Sequence, residues 1–324
     1  MTEPLLNIKD LRTYFVSQKG TRVVKAVDGV SFTLNEGETM GVVGESGSGK
    51  TVTSLSILRL LPAAARIVGG EMWFGGEDLV TKSEKEMQHV RGSQITMILQ
   101  DPLMSLNPLF TIGEQIAEPL RVHRDLHGQP LVNRIKELLR GVRIPSPEVR
   151  MREYPHQMGG GMRQRIVGAI GISCEPRLLI ADEPTTSLDV TIQAQYLDLL
   201  KDIQRRSRLA MIFITHNIGI VAKMCDHVSV MYAGKLVERA PVRTIFNQPA
   251  HPYTEALLNA MPKLTDKTER LWSIEGQPPD LANLPPGCPF SPRCPKAEER
   301  CHREVPPEFQ VGDQHVTRCW LWER

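Results

Sequence analysis

An α/β fold followed by a small, irregular tail rich in proline and cysteine is what the sequence predicts, and three observations predict it. Short apolar runs alternate with stretches of helical periodicity through roughly the first 240 residues, the pattern of strands and helices that take turns around a sheet. One of those runs leads directly into a glycine-rich loop and then a helix. Beyond Leu271 the texture changes, and prolines and cysteines accumulate.

Taken in order, Met40–Val43, Ile95–Leu99, Leu178–Ala181, Met211–Ile214 and Val228–Met231 are apolar runs of a length that suits buried strands better than helices. Between Gln100 and Tyr154 the strand signal fades, and polar helical stretches such as Arg134 to Arg140 read as a helical insertion. Prolines at positions 278, 279, 285, 286, 289, 292, 295, 306 and 307 leave no room for long helices or central strands. The tail is therefore expected to be irregular and held by something other than a core of its own. Domain boundaries follow: 1–240, with its helical part at about 101–157, and an extension at 241–324. No internal repeat or low-complexity tract interrupts this order.

Composition narrows the classes. With 324 residues, 41% of them apolar and 23% charged, the chain suits a soluble globular protein that buries a sizeable core. Its 39 basic and 37 acidic side chains leave a formal charge of +2, which argues against a broad basic field for a polyanion. No window reaches the 18 or so uninterrupted apolar residues of a membrane-spanning helix. The start lacks the basic-then-apolar layout of a secretory signal. An intracellular protein is expected, one that reaches a membrane only by docking to other subunits.

Gly44-Glu45-Ser46-Gly47-Ser48-Gly49-Lys50-Thr51 matches the P-loop pattern G-x-x-x-x-G-K-[ST]. Its glycines let backbone N–H groups converge on phosphates, Lys50 supplies charge to the outer oxygens, and Thr51 can ligate Mg²⁺. The helix expected after it, with Val52, Leu55, Leu58 and Leu61 on one face until Pro62, points its positive end at the anion. A chance glycine-rich turn would lack the flanking strand and helix. Leu178 to Glu183 adds four apolar residues ending in two acids. Asp182 suits the Mg²⁺ shell, and Glu183 suits a general base acting on water. A strand ending in solvated acids is common by itself; beside an intact P-loop it is the weaker reading.

From about residue 5 to 240 these residues resemble the ATP-binding cassette (ABC) ATPases. The resemblance implies a RecA-like mixed sheet core with a β subdomain and a helical subdomain. Gln100 is placed like the glutamine that senses Mg²⁺ and water and faces the membrane subunits. Met158-Gly159-Gly160-Gly161-Met162 stands where the family carries its Leu-Ser-Gly-Gly-Gln signature. Asp189 in Thr186-Ser187-Leu188-Asp189 resembles the D-loop aspartate, and His216 the switch histidine that contacts the γ-phosphate. Phe15 is similar in position to the aromatic that stacks on adenine, with Tyr14 as the alternative. The implied mechanism sandwiches two ATP molecules between two cassettes, each signature closing over the other's P-loop, so that ATP favours the closed dimer.

One departure stands out. Gly159 replaces the signature serine. As an N-cap, glycine costs only a few tenths of a kcal/mol. As a phosphate ligand it lacks a hydroxyl whose hydrogen bond to a charged group is worth about 1.5–3 kcal/mol. That deficit would fall on the partner's ATP, unless backbone amides suffice and Gly159 is neutral.

Further stretches resemble the peptide-importer branch, the dipeptide/oligopeptide group that includes nickel and glutathione importers: Gln100 to Pro108, Glu183 to Gln195, His251-Pro252-Tyr253-Thr254, and Gly287 to Pro295. The resemblance implies the ATP-hydrolysing subunit of a bacterial importer, peripheral on the cytoplasmic face of the inner membrane. Its partners would be a second, different ATPase subunit, two permeases and an extracytoplasmic solute-binding protein. Nickel and glutathione remain alternative cargoes. A soluble ABC ATPase acting on nucleic acid or ribosomes is the rival class, disfavoured by the single P-loop and the near-neutral charge. A cassette that binds ATP but barely hydrolyses it is disfavoured by Glu183 and His216.

Cys288, Cys294, Cys301 and Cys319 follow a C-x5-C-x6-C-x17-C spacing. In an intracellular protein a metal site is a better reading than disulfides. Four thiolates can hold Zn²⁺ or a [4Fe–4S] cluster, and the peptide-importer resemblance implies the cluster. Either would staple a tail too rich in proline to build its own core. His302 and His315 are expected in solvated loops, and Cys174 and Cys225 as small buried residues rather than ligands.

Overall fold

The computed structural model describes residues 3–17, 21–261 and 274–323; Leu271, where the texture of the sequence changes, lies outside them. In chain order the strands are β1 (Leu6–Val16), β2 (Val23–Leu34), β3 (Thr39–Val43), β4 (Ala65–Phe74), β5 (Glu77–Asp78), β6 (Ile95–Ile98), β7 (Leu178–Asp182), β8 (Ala210–Ile214), β9 (His227–Tyr232), β10 (Lys235–Pro241), β11 (Phe309–Gly312) and β12 (His315–Thr317). The chain forms two compact units. One holds residues 1–34, 39–80 and 214–324, the other residues 35–38 and 81–213.

In the first unit an antiparallel sheet runs β2-β1-β4-β5. Leu6 and Ile8 of β1 are buried, and after a bulge the buried set moves to Leu11 and Thr13. Strand side chains alternate faces, so the inserted residue changes parity and keeps the apolar side inward. The bulge needs Gly70 opposite it: a Cβ there would lie 2.5 Å from the Asp10 carbonyl oxygen. A second set runs β11-β12-β10-β9-β3. β3, buried at every residue, pairs in parallel with β9, matching Met40 with His227 and Val43 with Val230.

The tail is better built than its prolines suggest. β12 pairs with β10 through Glu238–Thr317 and Arg239–Val316, and β11 pairs with β12. These strands are four and three residues long and follow the last prolines, at 306 and 307, so no ladder hydrogen bond is lost. Phe290 packs into the core of the unit against Tyr232 and Tyr253, with ring centroids 5.2 and 5.3 Å away. His315, expected in a solvated loop, is buried on β12, and its Nε2 lies 2.8 Å from Glu238 Oε1. The Glu238 carboxylate also accepts the backbone N–H groups of Ala250 and His251.

In the second unit β6 pairs in parallel with β7, Ile95 opposite Leu178 and Ile98 opposite Ala181, and β8 follows β7 in order. The expected helical part contains helices at Ile112–Arg124 and Gly128–Gly141. The first starts in a capping box of Thr111 and Glu114. The second buries Leu131, Ile135, Leu138 and Leu139, one stripe at helical spacing. Cys174 is buried and Cys225 half-buried, as small apolar side chains would be.

Candidate functional site

The phosphate cradle lies in the first unit, between β3 and the helix Lys50–Ile57. Two of its glycines are obligatory. Gly44 has φ +154, and a Cβ on it would lie 2.2 Å from the Met231 carbonyl oxygen; Gly49 has φ +104, and its Cβ would lie 2.3 Å from that of Ala26. Backbone packed against both positions leaves no space for a side chain. Gly47, at φ +77, faces open space, and Ser46 beside it is exposed. Lys50 is only 7% exposed, and its Nζ donates to the carbonyl oxygens of Gly44 and Glu45, at 2.9 Å each. The ammonium is thus stored over the loop where phosphate oxygens would take it up. Ser48 Oγ is buried without a hydrogen-bond partner in the protein, a polar atom at the cradle that a bound anion or its metal would satisfy. Thr51, at the start of the helix, is exposed.

The helix itself differs from expectation. It ends at Ile57, and the side it buries is Thr53, Ser54, Ser56 and Ile57; of the predicted apolar set Leu58, at the C-cap, is buried, while Val52, Leu55 and Leu61 are only partly buried. Hydroxyls can line this interface because they are satisfied locally. Thr53 Oγ1 donates to the Gly49 carbonyl and Ser56 Oγ to that of Val52, and Ser56 and Thr13 share a 2.8 Å hydroxyl bond to the sheet. Small side chains let the helix sit close to the strands.

Of the two aromatics at the end of β1, Tyr14 is already engaged. Its hydroxyl donates to Asp28 Oδ1 at 2.7 Å, and Asp28 pairs with Lys235 at 2.7 Å. Burial, reinforced by the hydrogen bond to Asp28, pushes the Tyr14 pKa up to about 12. Phe15, the next residue, is half-buried. His216, also in this unit, is exposed two residues after β8.

The second unit carries the acids. Asp182 closes β7 and is only 4% exposed. Glu183 follows in a left-handed backbone conformation, φ +45, which a non-glycine residue adopts at a cost of about 1–3 kcal/mol. Its Oε2 accepts hydrogen bonds from Gln100 Nε2 at 3.1 Å and Thr186 Oγ1 at 3.0 Å. Gln100 and Glu183, 83 residues apart in sequence, are therefore brought together. Asp189 caps the helix Val190–Ser207, its carboxylate accepting the Ile192 N–H at 3.0 Å. Gly159 caps the helix Gly160–Ile172 with ordinary extended dihedrals and no side-chain bond. A Cβ on Gly159 or Gly160 would meet nothing within 4 Å, whereas on Gly161 it would lie 2.6 Å from Ile192 Cγ2.

In the tail, Cys288, Cys294, Cys301 and Cys319 all line one small pocket, together with His251 and Phe290. Burial, opposed by nearby N–H donors but reinforced by the neighbouring thiols, pushes Cys288 and Cys319 up to about 11. Among the described residues, no three His, Cys, Asp or Glu side chains are grouped closely enough to hold a single metal ion. The four cysteines thus share a pocket without forming a ready single-ion site.

The residue that sequence reasoning missed is Arg293. It reaches the P-loop and pairs through both terminal nitrogens with the Glu45 carboxylate, at 2.8 and 3.0 Å. Its only sequence signal was a lone cation between Pro292 and Cys294.

The family model for "ABC transporter" matches residues 27–186, and that for "Oligopeptide/dipeptide transporter, C-terminal region" matches residues 237–301. The chain is 49% identical to a peptide import ATP-binding protein of Brucella ovis, over 99% of this chain and 98% of that one. It is 48% identical to the dipeptide transport ATP-binding protein DppD of Bacillus subtilis, over 99% and 96%. The fold is shared with the dimeric ATP-binding cassette MJ0796 bound to ADP and Pi, with a TM-score of 0.66, 22% identity, and coverage of 74% of this chain and 99% of that one. CbiO1 from Clostridium perfringens is similar, with a TM-score of 0.63 and 23% identity over 76% and 92%.

Proposed function

The chain belongs to the ABC transporter family, in the group that carries the oligopeptide/dipeptide transporter C-terminal region, and we propose that it is the ATP-hydrolysing subunit of a peptide importer. The observation that carries this reading is the conjunction, in one chain, of a backbone-constrained phosphate cradle with full-length similarity to peptide import ATP-binding proteins. Nickel or glutathione as cargo, and action on nucleic acid, find no comparable support.

In this reading the N–H groups of Gly47 to Thr51 receive the β- and γ-phosphates, and Lys50 exchanges its two carbonyl acceptors for phosphate oxygens. Thr51, Gln100 and Asp182 are the residues that would hold Mg²⁺, which would neutralise phosphate charge. Phe15 stacks on the base, since Tyr14 is committed to Asp28. Glu183 accepts a proton from the attacking water while Gln100 and Thr186 fix the orientation of its carboxylate, and His216 contacts the γ-phosphate. Gly159, Gly160 and Gly161 close over the ATP of a second, different ATPase subunit, and Asp189 lies at that same junction.

The sandwich works beneath two permeases on the cytoplasmic face of the inner membrane, with a solute-binding protein delivering peptide outside. Among the described residues no helix is long and apolar enough to cross a membrane. Leu103, Met104, Leu109 and Phe110, exposed in the stretch after Gln100, offer apolar area for a permease to cover.

The four-cysteine pocket is assigned a [4Fe–4S] cluster, with Zn²⁺ as the alternative. The cluster is what the peptide-importer resemblance implies, and the four thiols that would hold it line one pocket. Its contribution is structural, cross-linking Cys288 to Cys319 across the tail. Iron and acid-labile sulfide assayed on anaerobically purified protein decide the metal.

The activity is tested in the assembled transporter with Lys50→Ala and Glu183→Gln. The first should abolish ATP binding. The second should retain binding but lose turnover by at least about 100-fold, the contribution of a general base. Full turnover by Glu183→Gln would refute its role.

A further inference from the structure

We infer that Arg293 is a positioning residue for the nucleotide site: by neutralising and anchoring Glu45 it prepares the P-loop for a triphosphate, so that ATP affinity depends on the C-terminal extension. The inference rests on the ATP-binding reading and extends it to a residue outside the cassette motifs.

Glu45 occupies a position that the P-loop pattern leaves unspecified, yet three of its groups are engaged. Its carboxylate is gripped by Arg293 at both oxygens, across 248 residues of sequence. Its backbone N–H donates to Tyr253 Oη at 2.9 Å, across 208 residues. Its carbonyl oxygen accepts one of the Lys50 hydrogen bonds. Both distant anchors come from the extension, and Arg293 is itself fixed by the extension and by β9. Nε donates to the Glu275 carbonyl at 2.9 Å, and Nη1 to Tyr232 Oη at 3.2 Å. The guanidinium side chain is 5% exposed and the Glu45 side chain 25%.

Two physical effects follow. A carboxylate beside a phosphate cradle repels the anion it is meant to receive, and in a partly dry site that repulsion is poorly screened. The guanidinium cancels it. The loop must also hold its shape while Lys50 changes partners, and a bidentate fork supplies a rigid anchor that a point charge does not. Arg293 lies one residue before Cys294, so the segment that braces Glu45 is also a wall of the four-cysteine pocket.

The test uses the full chain carrying Arg293→Ala, Arg293→Lys, Glu45→Gln or the Arg293→Ala/Glu45→Gln pair. Affinity is measured for a fluorescent ATP analogue, kcat and KM in the assembled transporter, and thermal midpoint alongside. Arg293→Ala should raise Kd and KM about tenfold, equivalent to about 1.4 kcal/mol, with kcat little changed. The double variant should recover most of that loss because the bare carboxylate is gone, and Arg293→Lys should fall between. A folded Arg293→Ala chain that binds ATP like the wild type overturns the inference. So does a double variant no better than Arg293→Ala, which would reduce Arg293 to a structural contact. Should Arg293→Ala not fold, Arg293→Lys with undiminished affinity overturns it equally. A wild-type chain that binds no ATP instead refutes the underlying nucleotide reading.

Discussion

Two glycine-rich segments open helices in this molecule, and they obey different physics. At Gly44 and Gly49 the backbone is left-handed or otherwise closed to L-residues, and carbonyl oxygens stand where a Cβ would go. At Gly159 and Gly160 the dihedrals at the cap are ordinary and the added carbon would meet nothing. Glycine in the first segment fixes a backbone shape; in the second it leaves a side chain out. Similar composition therefore carries different constraints: backbone excludes a side chain at Gly44 and Gly49, whereas the chain itself leaves room for one at Gly159 and Gly160.

The hardest test of that contrast is Gly49→Ala. Its methyl group would overlap the Ala26 carbonyl at a φ of +104, so both cradle and strand must shift. ATP affinity is expected to fall by more than about 100-fold, with a lowered thermal midpoint, since strain and overpacking act together. Nucleotide titration and thermal denaturation of the same preparation measure both. Normal ATP binding by this variant would mean that the cradle tolerates side chains, and the contrast would vanish.

Gly159→Ser acts in the opposite sense. The pocket of space at position 159 accepts the side chain, and the isolated chain gains only the few tenths of a kcal/mol of a better N-cap. In the assembled transporter the restored hydroxyl reaches the partner's ATP, and turnover at that site is expected to rise about tenfold, near the lower end of the 1.5–3 kcal/mol of a charged hydrogen bond. An unchanged rate would show that the backbone amides already suffice.

What could be read in advance was whatever the backbone or a contiguous motif dictates. The P-loop, the acids at the end of β7 and the five buried strands all sit in unbroken runs, so the residues responsible are neighbours in sequence. Contacts made by side chains across long stretches of chain were not legible. Nothing in the spacing links Glu45 to Arg293, which share neither a helix face nor a strand register, and Gln100 and Glu183 were joined only through the family resemblance that assigns both to the water at the site. The helix after the P-loop misled for a related reason: apolar periodicity pointed to Val52, Leu55, Leu58 and Leu61, but of these only Leu58 is buried, and close packing favoured hydroxyls that bond back to their own turn. In the tail, the proline count hid two strands only three and four residues long and the burial of Phe290. Of the two candidate aromatics, only the hydrogen bond to Asp28 shows which one is committed.

Gly161 lies between the extremes. Its dihedrals are helical, but an added Cβ would approach Ile192 Cγ2 to 2.6 Å. Gly161→Ala should cost about 1–3 kcal/mol of stability, the usual range for overpacking, and Ile192→Ala in the same chain should return part of it. Thermal denaturation of the two variants measures the coupling. Independent, additive losses would show that the two side chains do not meet.

The smallest effect is the most discriminating. Gly160→Ala places a methyl group in open space on the first turn of a helix, so the isolated chain should change by no more than about 0.5 kcal/mol, as exposed surface substitutions do. In the assembly the same methyl group would stand where the helix N-terminus must approach the partner's phosphates, and ATP-driven closure should weaken although the chain itself is unharmed. Comparing the thermal midpoint of the isolated chain with the ATPase rate of the complex separates the two effects. A loss confined to the complex assigns this glycine to a surface that the single chain does not contain. Silence in both would mean that the second segment carries no constraint at this position, leaving Gly161 and its contact with Ile192 as the only glycine of the three that packing requires.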